Sequence, residues 1–246
     1  MTALPKLGAI WVYLAASPLL GLTITLIAYL IAQTLYAKAR FNPLANPVLI
    51  AVALLVAVLE ITGTPYATYF EGAQFVHFLL GPATVALALP LYRQWPKLRR
   101  YALPLFGGLV AGSLTAIVSA IGVAALFGAS HQTLASLAPK SATTPIAMAV
   151  ASEIGGIPSL TAVLVISTGV FGAVFARAIL NGLKIAEPEV RGFALGIASH
   201  GIGTARAFQV SEQMGAFAGL GMGLNGVFTA FVVPVLMPVI VRWLGG

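Results

Sequence analysis

SHGIGTARAF, residues 199–208, places a histidine, a threonine and an arginine among glycines in a chain that is otherwise apolar. Of the 246 residues, 59% are hydrophobic and only 8% are charged. A soluble protein of this size covers its apolar core with a polar surface, and so few charged residues cannot form such a surface. Several apolar runs reach the roughly 20 residues that cross a hydrocarbon layer about 30 Å thick. The sequence therefore predicts an all-α polytopic membrane protein, with a single integral membrane domain over 1–246.

Apolar runs alternate with short basic loops along the chain. The predicted spans are 18–37, 47–61, 72–92, 101–127, 160–181, 192–210 and 215–243. Lysine and arginine concentrate in every second loop, including 93–100 and 181–191, and the positive-inside rule places these loops in the cytoplasm. About seven crossings then leave the C-terminus, with Arg242, on the cytoplasmic side of the inner (cytoplasmic) membrane. The N-terminal stretch 7–16 is predicted to be an uncleaved entry segment or a short interfacial helix.

Composition and motif spacing exclude several functions. The net charge of +7 lies in loops where topology explains it, so no nucleic acid partner is expected. Three scattered histidines (His77, His131 and His200) and the absence of cysteine predict no metal site, and no cofactor is expected. Ser199 adjoins His200 in sequence instead of meeting it from another helix, so no catalytic residues are predicted and the protein is not expected to be an enzyme. GMGLNG (221–226) follows no strand, which favours close helix packing over dinucleotide binding.

Three stretches combine a helix breaker with polar residues at membrane depth, namely 79–90, 140–158 and 199–208. Irregular backbone persists in a bilayer only where protein buries it or where it lines a wet cavity. The free N–H groups at the start of a half-helix suit an anion. Alternatively, the serine and threonine hydroxyls only donate hydrogen bonds to the backbone carbonyl groups that lose their helical partners at such breaks. The residues predicted to form an anion cradle are Ser141, Thr143, Thr144, Ser199, Gly201, Gly203 and Thr204.

Four ionisable residues have open interpretations. Inserting an arginine such as Arg206 at the membrane centre costs at least about 2.5–3.5 kcal/mol of free energy, so its side chain needs a partner or a path to water. It either binds a substrate carboxylate, pairs with Glu212 or Glu153, or reaches an interface. His200 either relays protons or is a hydrogen-bonded packing residue. Glu153 and Glu212, together with His200, are the candidates for proton coupling.

Two segments of the chain resemble each other. TTPIAMAVASEIGG (143–156) and GTARAFQVSEQMG (203–215) share T-x-x-A-x-x-V and a following S-E and G, with one gap. The predicted helices that carry them run in opposite senses. An inverted repeat with broken helices, which is typical of transporters, and chance similarity in an apolar chain both account for the match.

Five blocks of sequence carry a resemblance to a known family. They are LLGPATVALALPLY (79–92), PKSATTPIAMAVA (139–151), GGIPSLTAVLVISTGVFGA (155–173), RGFALGIASHGIGTARAF (191–208) and GAFAGLGMGLNGVFTA (215–230). Together they resemble the LrgB/CidB family over about 18–243. At the motif positions, the resemblance implies a substrate site that includes Pro82, Thr84, Lys140, Ser141, Thr143, Thr144, Pro145, His200, Gly203, Thr204 and Arg206.

The same resemblance implies two functions. Bacterial members are named antiholin-like, are tied to murein hydrolase regulation and autolysis, and commonly pair with a small LrgA/CidA-type membrane protein. The plastid relative exports glycolate and glycerate, and bacterial systems of this family are linked to pyruvate uptake. We therefore expect a transporter of a small monocarboxylate that works by alternating access at the broken-helix anion site, within a homo- or hetero-oligomer. The alternative is a holin- or antiholin-like protein that regulates murein hydrolases and autolysis.

Overall fold

The computed structural model describes residues 18–39, 41–42, 45–79, 82, 85–86 and 88–243. All regular secondary structure in this part of the chain is helical, which confirms the all-α prediction. The chain divides into two compact units, Met1–Ala86 and Leu87–Gly246. The predicted entry segment 7–16 lies outside the described residues, and a single domain over the whole chain stays a prediction.

The first unit is a bundle of three helices. They are α1 (Pro18–Lys38), α2 (Pro47–Thr62) and α3 (Tyr66–Phe78). Helix α1 packs on both others, and a Cβ added at Gly21 would lie 2.5 Å from the backbone oxygen of Tyr69, so only glycine allows this approach. The hydroxyls of Thr25 and Tyr69 are hydrogen-bonded at 2.8 Å. Asn46 caps α2 by accepting the backbone N–H of Val48 at 2.9 Å. Helix α1 confirms the first predicted span, whereas α2 matches the bounds of the second but is a shorter apolar helix, so its crossing of the membrane stays a prediction.

The second unit carries the remaining helices. They are α4 (Ala88–Arg93), α5 (Trp95–Arg100), α6 (Ala102–Leu126), α7 (His131–Leu137), α8 (Thr144–Glu153), α9 (Pro158–Gly182), α10 (Pro188–Val210) and α11 (Glu212–Trp243). Within the described part of the chain, four helices are long and apolar enough to cross a bilayer, namely α1, α6, α9 and α11. The chain is therefore a multi-pass membrane protein. The third predicted span is divided between α3 and α4, and most of the basic loop is the short helix α5.

Helix α10 folds back on itself at the predicted break. Ser199 has φ −133° and ψ 17°, and His200 has φ 40° and ψ −133°, so the helix stops there and restarts. A straight helix of this length would be about 33 Å long, yet Pro188 and Ser211 at its two ends line one cavity. The segment is therefore a re-entrant hairpin with arms over 188–198 and 201–210. We call it the second hairpin, because another hairpin, described below, precedes it in the chain.

Both arms of the second hairpin lie along α11, in opposite directions. The contacts pair Gly192 with Met214, Gly196 with Ala218, Phe208 with Gly215 and Thr204 with Met222. The first arm therefore runs parallel to α11 and the second arm runs antiparallel to it. Glycines allow the backbones to touch, because a Cβ at Gly196 would overlap the carbonyl oxygen of Ala218. This confirms the prediction of close helix packing by small residues.

The chain also breaks between α7 and α8, which form the first hairpin (131–153) with its tip at 138–143. Thr143 is extended at φ −65° and ψ 149°, and Pro145 in the first turn of α8 is preorganised to start a new helix. Leu134 in α7 and Val150 in α8 share one core cluster with α6 and α11. The predicted break in 140–158 is therefore confirmed, and it forms the tip of the first hairpin.

Both ends of the second hairpin lie at one face of the unit. At its start, the Lys97 ammonium donates to the Glu189 carboxylate at 2.7 Å. Just after its end, the Arg93 guanidinium donates to the Glu212 carboxylate at 2.9 Å. Because Arg93 and Lys97 belong to the same basic stretch, both ends are beside it. We call this side the basic face.

The first hairpin enters from the opposite face. The side chain of Ser136 accepts the backbone N–H of Ile157 at 2.7 Å, just before the start of α9. By contrast, Arg191 in the second hairpin donates to Asn181 at 2.8 Å, at the end of α9. Helix α9 crosses the unit, so the two hairpins reach inward from its two ends.

The second hairpin changes the predicted topology. The stretch 192–210 was predicted to cross the membrane, but it returns to the basic face. Helix α11 therefore begins at the basic face and ends, with Arg242, at the opposite one. This arrangement differs from the prediction that Arg242 shares the side of the basic loops, because hydropathy cannot reveal the backbone reversal at His200. The side of the membrane on which the C-terminus lies stays a prediction.

Cysteine labelling tests this topology, since the chain contains no native cysteine. We expect Val210→Cys to label from the same side as Leu183→Cys, and Phe127→Cys to label from the other side. Intact cells and inside-out vesicles are treated with a membrane-impermeant maleimide. All three positions are more than half exposed, at 59%, 65% and 88%. If Val210→Cys were instead labelled from the same side as Phe127→Cys, α10 would have to cross the membrane.

Candidate functional site

Most of the predicted site residues come together where the two hairpin tips meet. Ala142 of the first tip packs against Val165 of α9. The imidazole of His200, in the second tip, is 2.9 Å from the carbonyl oxygen of the same Val165. The first hairpin supplies Lys140, Ser141, Thr143, Thr144 and Pro145 to this region, and the second supplies Ser199, His200, Gly201, Gly203 and Thr204.

One buried side chain on α11 joins the two tips. The Nδ2 of Asn225 donates to the carbonyl oxygen of Ser141 at 3.0 Å and to that of Ile197 at 3.2 Å. Its Oδ1 accepts the hydroxyl of Ser113 on α6 at 2.7 Å. Helix breaks free backbone carbonyls that need partners away from water. Asn225, which is 1% exposed, provides a partner for one such carbonyl in each hairpin.

Two glycines of α9 make room for the second tip. A Cβ at Gly169 would lie 2.7 Å from the Cε1 atom of His200. A Cβ at Gly172 would overlap the hydroxyl of Ser199. The buried hydroxyl of Ser199 has no hydrogen-bond partner among the described atoms. The spacing of these glycines on α9 therefore determines how deeply the second hairpin can insert.

His200 is fixed by two hydrogen bonds at the tip. Its buried Nε2 donates to the Val165 carbonyl, and the hydroxyl of Thr204 donates to the His200 carbonyl oxygen at 2.9 Å. These contacts are those of a hydrogen-bonded packing residue. A proton relay through His200 stays a prediction.

The start of α8 presents a positive electrostatic environment at the first tip. The Thr143 side chain makes no capping hydrogen bond, so it does not satisfy the N–H groups of the first turn. The ammonium of Lys140 is half-buried and lies 3.5 Å from the hydroxyl of Ser141. A helix N-terminus, an ammonium and nearby hydroxyls together form an environment that suits a carboxylate.

Arg206 lies outside the tips, at the basic face. It shares a cavity of about 400 Å³ with Arg177 of α9 and Arg191 of the first arm. Its guanidinium donates to the side chain of Gln209 at 3.1 Å. The structure therefore separates Arg206 from the tip residues with which the sequence grouped it.

The other predicted residues are not tip residues. Glu153 is exposed at the end of α8, and Glu212 is paired with Arg93 at the start of α11. These two candidates for proton coupling therefore occupy opposite faces. Pro82 belongs to the first unit and is exposed, and Thr84 lies outside the described residues.

The internal sequence similarity corresponds to a structural one. Its two segments begin the return arms of the two hairpins. Thr144 and Thr204 occupy matching positions early in those arms, and Ala147 and Ala207 are completely buried in both. Each hairpin is followed by a long helix, α9 or α11. Because the hairpins enter from opposite faces, this arrangement favours an inverted repeat over chance similarity.

Known proteins share this sequence along most of its length. The sequence model of the LrgB-like family matches residues 25–239. The chain belongs to the LrgB-like family. Two Bacillus subtilis (strain 168) proteins named as uncharacterized, YxaC and YwbG, are both 36% identical to this LrgB-like chain, covering 87% and 89% of it and 93% and 97% of themselves. The antiholin-like protein LrgB of Bacillus mycoides (strain KBAB4) is 33% identical over 91% of this chain and 97% of its own length. No solved structure matches.

Sequence reasoning missed Asn225 and the two glycines of α9 in this LrgB-like protein. Asn225 lies within GMGLNG, which was interpreted only as a packing motif. A signal was available, because Asn225 is the one amide in the apolar run 215–243, and a buried amide without partners is costly. Nothing in the sequence indicated that its partners would be the two tips.

Proposed function

We propose that this LrgB-like protein transports a small monocarboxylate, such as glycolate, glycerate or pyruvate, across the inner membrane. The observation that carries the proposal is that two hairpins from opposite faces meet at tips joined by Asn225. Transporters commonly place their substrate sites where broken helices of inverted repeats converge near the midplane. A protein that acts only by packing against partners has no need for such an arrangement.

The substrate carboxylate would bind at the first tip. The Lys140 ammonium and the start of α8 supply positive charge, while the hydroxyls of Ser141 and Thr144 supply donors. The second tip would close over the other side of the substrate with His200 and Thr204. Proton coupling through His200, Glu153 or Glu212 belongs to the same proposal.

Alternating access would follow from the opposed entry of the hairpins. Movement of the first hairpin would open the tip region toward one face, and movement of the second would open it toward the basic face. Asn225 of α11 is hydrogen-bonded to one carbonyl oxygen in each hairpin, so movement of either hairpin would break one of these two bonds. Each of these hydrogen bonds is of ordinary strength, so a bound substrate could shift the equilibrium between the two positions of a hairpin.

Uptake into proteoliposomes tests the transport proposal. We expect saturable uptake of labelled glycolate or pyruvate, measured with and without a pH gradient. The variant Lys140→Gln should lower kcat/KM by at least about 10-fold, which corresponds to about 1.4 kcal/mol, because the charge that binds the carboxylate is lost. Thr144→Ala should have a smaller effect of the same sign.

Arg100→Gln is the matched control, because it also removes one cation but lies in α5, away from the tips. Gel filtration must first show that all variants are folded. Wild-type uptake by Lys140→Gln and Thr144→Ala would contradict the proposed site. Absence of uptake by the wild type, with or without a small LrgA/CidA-like partner protein, would contradict transport of these substrates.

The names of the relatives favour a second candidate function. Several are named antiholin-like protein LrgB, and such a protein would regulate murein hydrolases and autolysis through oligomers, alone or with an LrgA/CidA-like partner. Leakage of a trapped dye from the vesicles without saturable uptake would support this candidate. If leakage also persisted in Lys140→Gln, the tips would have no part in it.

A further inference from the structure

A long apolar groove lies between four helices of the second unit. It has a volume of about 950 Å³ and is lined by residues of α4, α5, α6 and α11. Most of its lining consists of leucine, valine, alanine and phenylalanine, including the exposed Phe106 of α6 and Phe231 of α11. The α11 residues that line it, from Leu220 to Val232, cover about 18 Å of helix, which exceeds half of the roughly 30 Å thickness of a hydrocarbon layer. The groove is therefore long enough for an acyl chain in one leaflet of a bilayer.

One end of the groove is polar. Trp95 and Arg99 of α5 line it there, together with Tyr92 near the end of α4. These residues adjoin or belong to the basic stretch that defines the basic face, so the polar end of the groove lies at that face. Tryptophan and tyrosine are enriched at the level of the lipid head groups. The groove therefore combines an apolar length with a polar end at the membrane interface.

The positive charge of the basic stretch is only partly balanced by the protein. Arg93 and Lys97 are paired with glutamates, as described above. The guanidinium carbon of Arg100 lies 5.6 Å from the ring centroid of Tyr101, which does not line the groove. The exposed side chain of Arg99 has no ion pair, hydrogen bond or ring contact with any residue that the structure describes. Among the described residues that line the groove, Arg99 is also the only charged one, so its charge calls for an anion from outside the chain.

We propose that this groove binds an anionic phospholipid, with an acyl chain along α11 and the phosphate of the head group beside Arg99. The planar guanidinium of arginine matches phosphate oxygens in pairs. Basic pockets between membrane helices bind the head groups of anionic lipids in this way. An anionic phospholipid is the occupant that fits both parts of the groove, because its chain matches the apolar length and its charge matches Arg99.

The single charge at the polar end also determines which lipids the groove selects. A zwitterionic head group such as phosphatidylcholine carries an ammonium group that offsets the charge of its phosphate, so its net attraction to Arg99 is weaker. Phosphatidylglycerol has the same phosphate without that cation, so the groove should prefer it. This proposal concerns the groove beside α11 and is independent of the proposed transport at the hairpin tips.

Quenching of Trp95 fluorescence by brominated lipids tests the proposal at the groove itself. The sequence contains three tryptophans, so the full chain with Trp11→Phe and Trp243→Phe keeps Trp95 alone. This protein is reconstituted at constant ionic strength, because salt screens such contacts, with equal fractions of brominated phosphatidylglycerol or brominated phosphatidylcholine. We expect phosphatidylglycerol to bind beside Trp95 about 5-fold more tightly, which corresponds to about 1 kcal/mol for one arginine. The further change Arg99→Gln should abolish this preference, and it should leave the fold intact because Arg99 is exposed.

Arg177→Gln in the same single-tryptophan protein is the matched control. It removes an exposed arginine from a helix at the same face, but Arg177 does not line the groove. A preference that is lost in Arg99→Gln and kept in Arg177→Gln supports the proposed site. Equal binding of the two lipids before either change, a preference that persists in Arg99→Gln, or an equal loss in Arg177→Gln would overturn the proposal. Absence of quenching by both lipids would also overturn it, since protein, such as a second copy of the chain, would then cover the groove.

Discussion

Replacing Asn225 with leucine is expected to destabilise the protein by about 3 kcal/mol, although both side chains have the same branched arrangement of heavy atoms. The change leaves the carbonyl oxygens of Ser141 and Ile197 buried without their donor, and each such group costs about 1–3 kcal/mol. Unfolding of the purified protein, followed by circular dichroism, measures the loss. Saturable uptake, where the wild type shows it, should also be lost, because both tips lose their link to α11.

Two further variants separate the contributions of this asparagine. Asn225→Asp keeps the acceptor for Ser113 but removes both donors to the tips, so it should resemble Asn225→Leu. Ser113→Ala removes only the hydrogen bond between α6 and α11, and should cost about 1 kcal/mol. Equal stability of Asn225→Leu and the wild type would show that the two tips are held by other contacts.

A second large effect is expected from Gly196→Ala, in the first arm of the second hairpin. An added Cβ would overlap the carbonyl oxygen of Ala218, which is a backbone atom and cannot move aside like a flexible side chain. Helices α10 and α11 would have to separate along their interface. Overpacking of this kind costs about 1–3 kcal/mol, and we expect a value near the upper end, about 3 kcal/mol, measured as a loss of unfolding free energy.

Gly223→Ala is the matched control for this substitution, since it adds the same methyl group to a helical glycine. A Cβ at Gly223 would meet nothing within 4 Å. Because alanine favours helix over glycine by about 1 kcal/mol, this variant should be as stable as the wild type or slightly more stable. The same destabilisation in both variants would mean that the methyl group acts through the helix backbone and not through the contact with Ala218.

The spans and the breaks were predictable because they depend on local composition. The first predicted span and α1 differ by one residue, and the spans predicted at 101–127 and 160–181 correspond to α6 and α9. The breaks in 140–158 and 199–208 were also predicted, from glycine and proline beside polar residues. Such patterns indicate where a helix stops, but they do not indicate the direction in which the chain continues.

The direction of the chain after a break was the main error. The prediction of 192–210 as a crossing rests on length and hydropathy, which are the same for a straight helix and for a hairpin. The backbone reversal at His200 is possible because Gly169, Gly172 and Gly203 leave space for the tip. Gly203 is far in sequence from Gly169 and Gly172, so their joint effect could not be predicted from any one stretch. The same reversal places Arg242 at the face opposite the basic one.

The grouping of the site residues was predicted in part. Residues close in sequence to the breaks, such as Ser141 and His200, do lie at the tips, since the tips are the breaks themselves. Arg206 was grouped with them because it follows the second break by only six residues. Once the second arm runs back toward the basic face, those six residues carry Arg206 away from the tips and toward Arg177 and Arg191.

The sequence by itself determined that this LrgB-like protein is helical, lies in a membrane and has two polar helix breaks in its second half. These properties follow from hydrophobicity, charge and local backbone preference, which each residue carries independently of its neighbours in space. Only the tertiary structure decided that the breaks are hairpin tips, that they meet at Asn225 and that three arginines share one cavity. These features depend on contacts between residues distant along the chain, where close backbone packing and the pairing of buried polar groups select one arrangement.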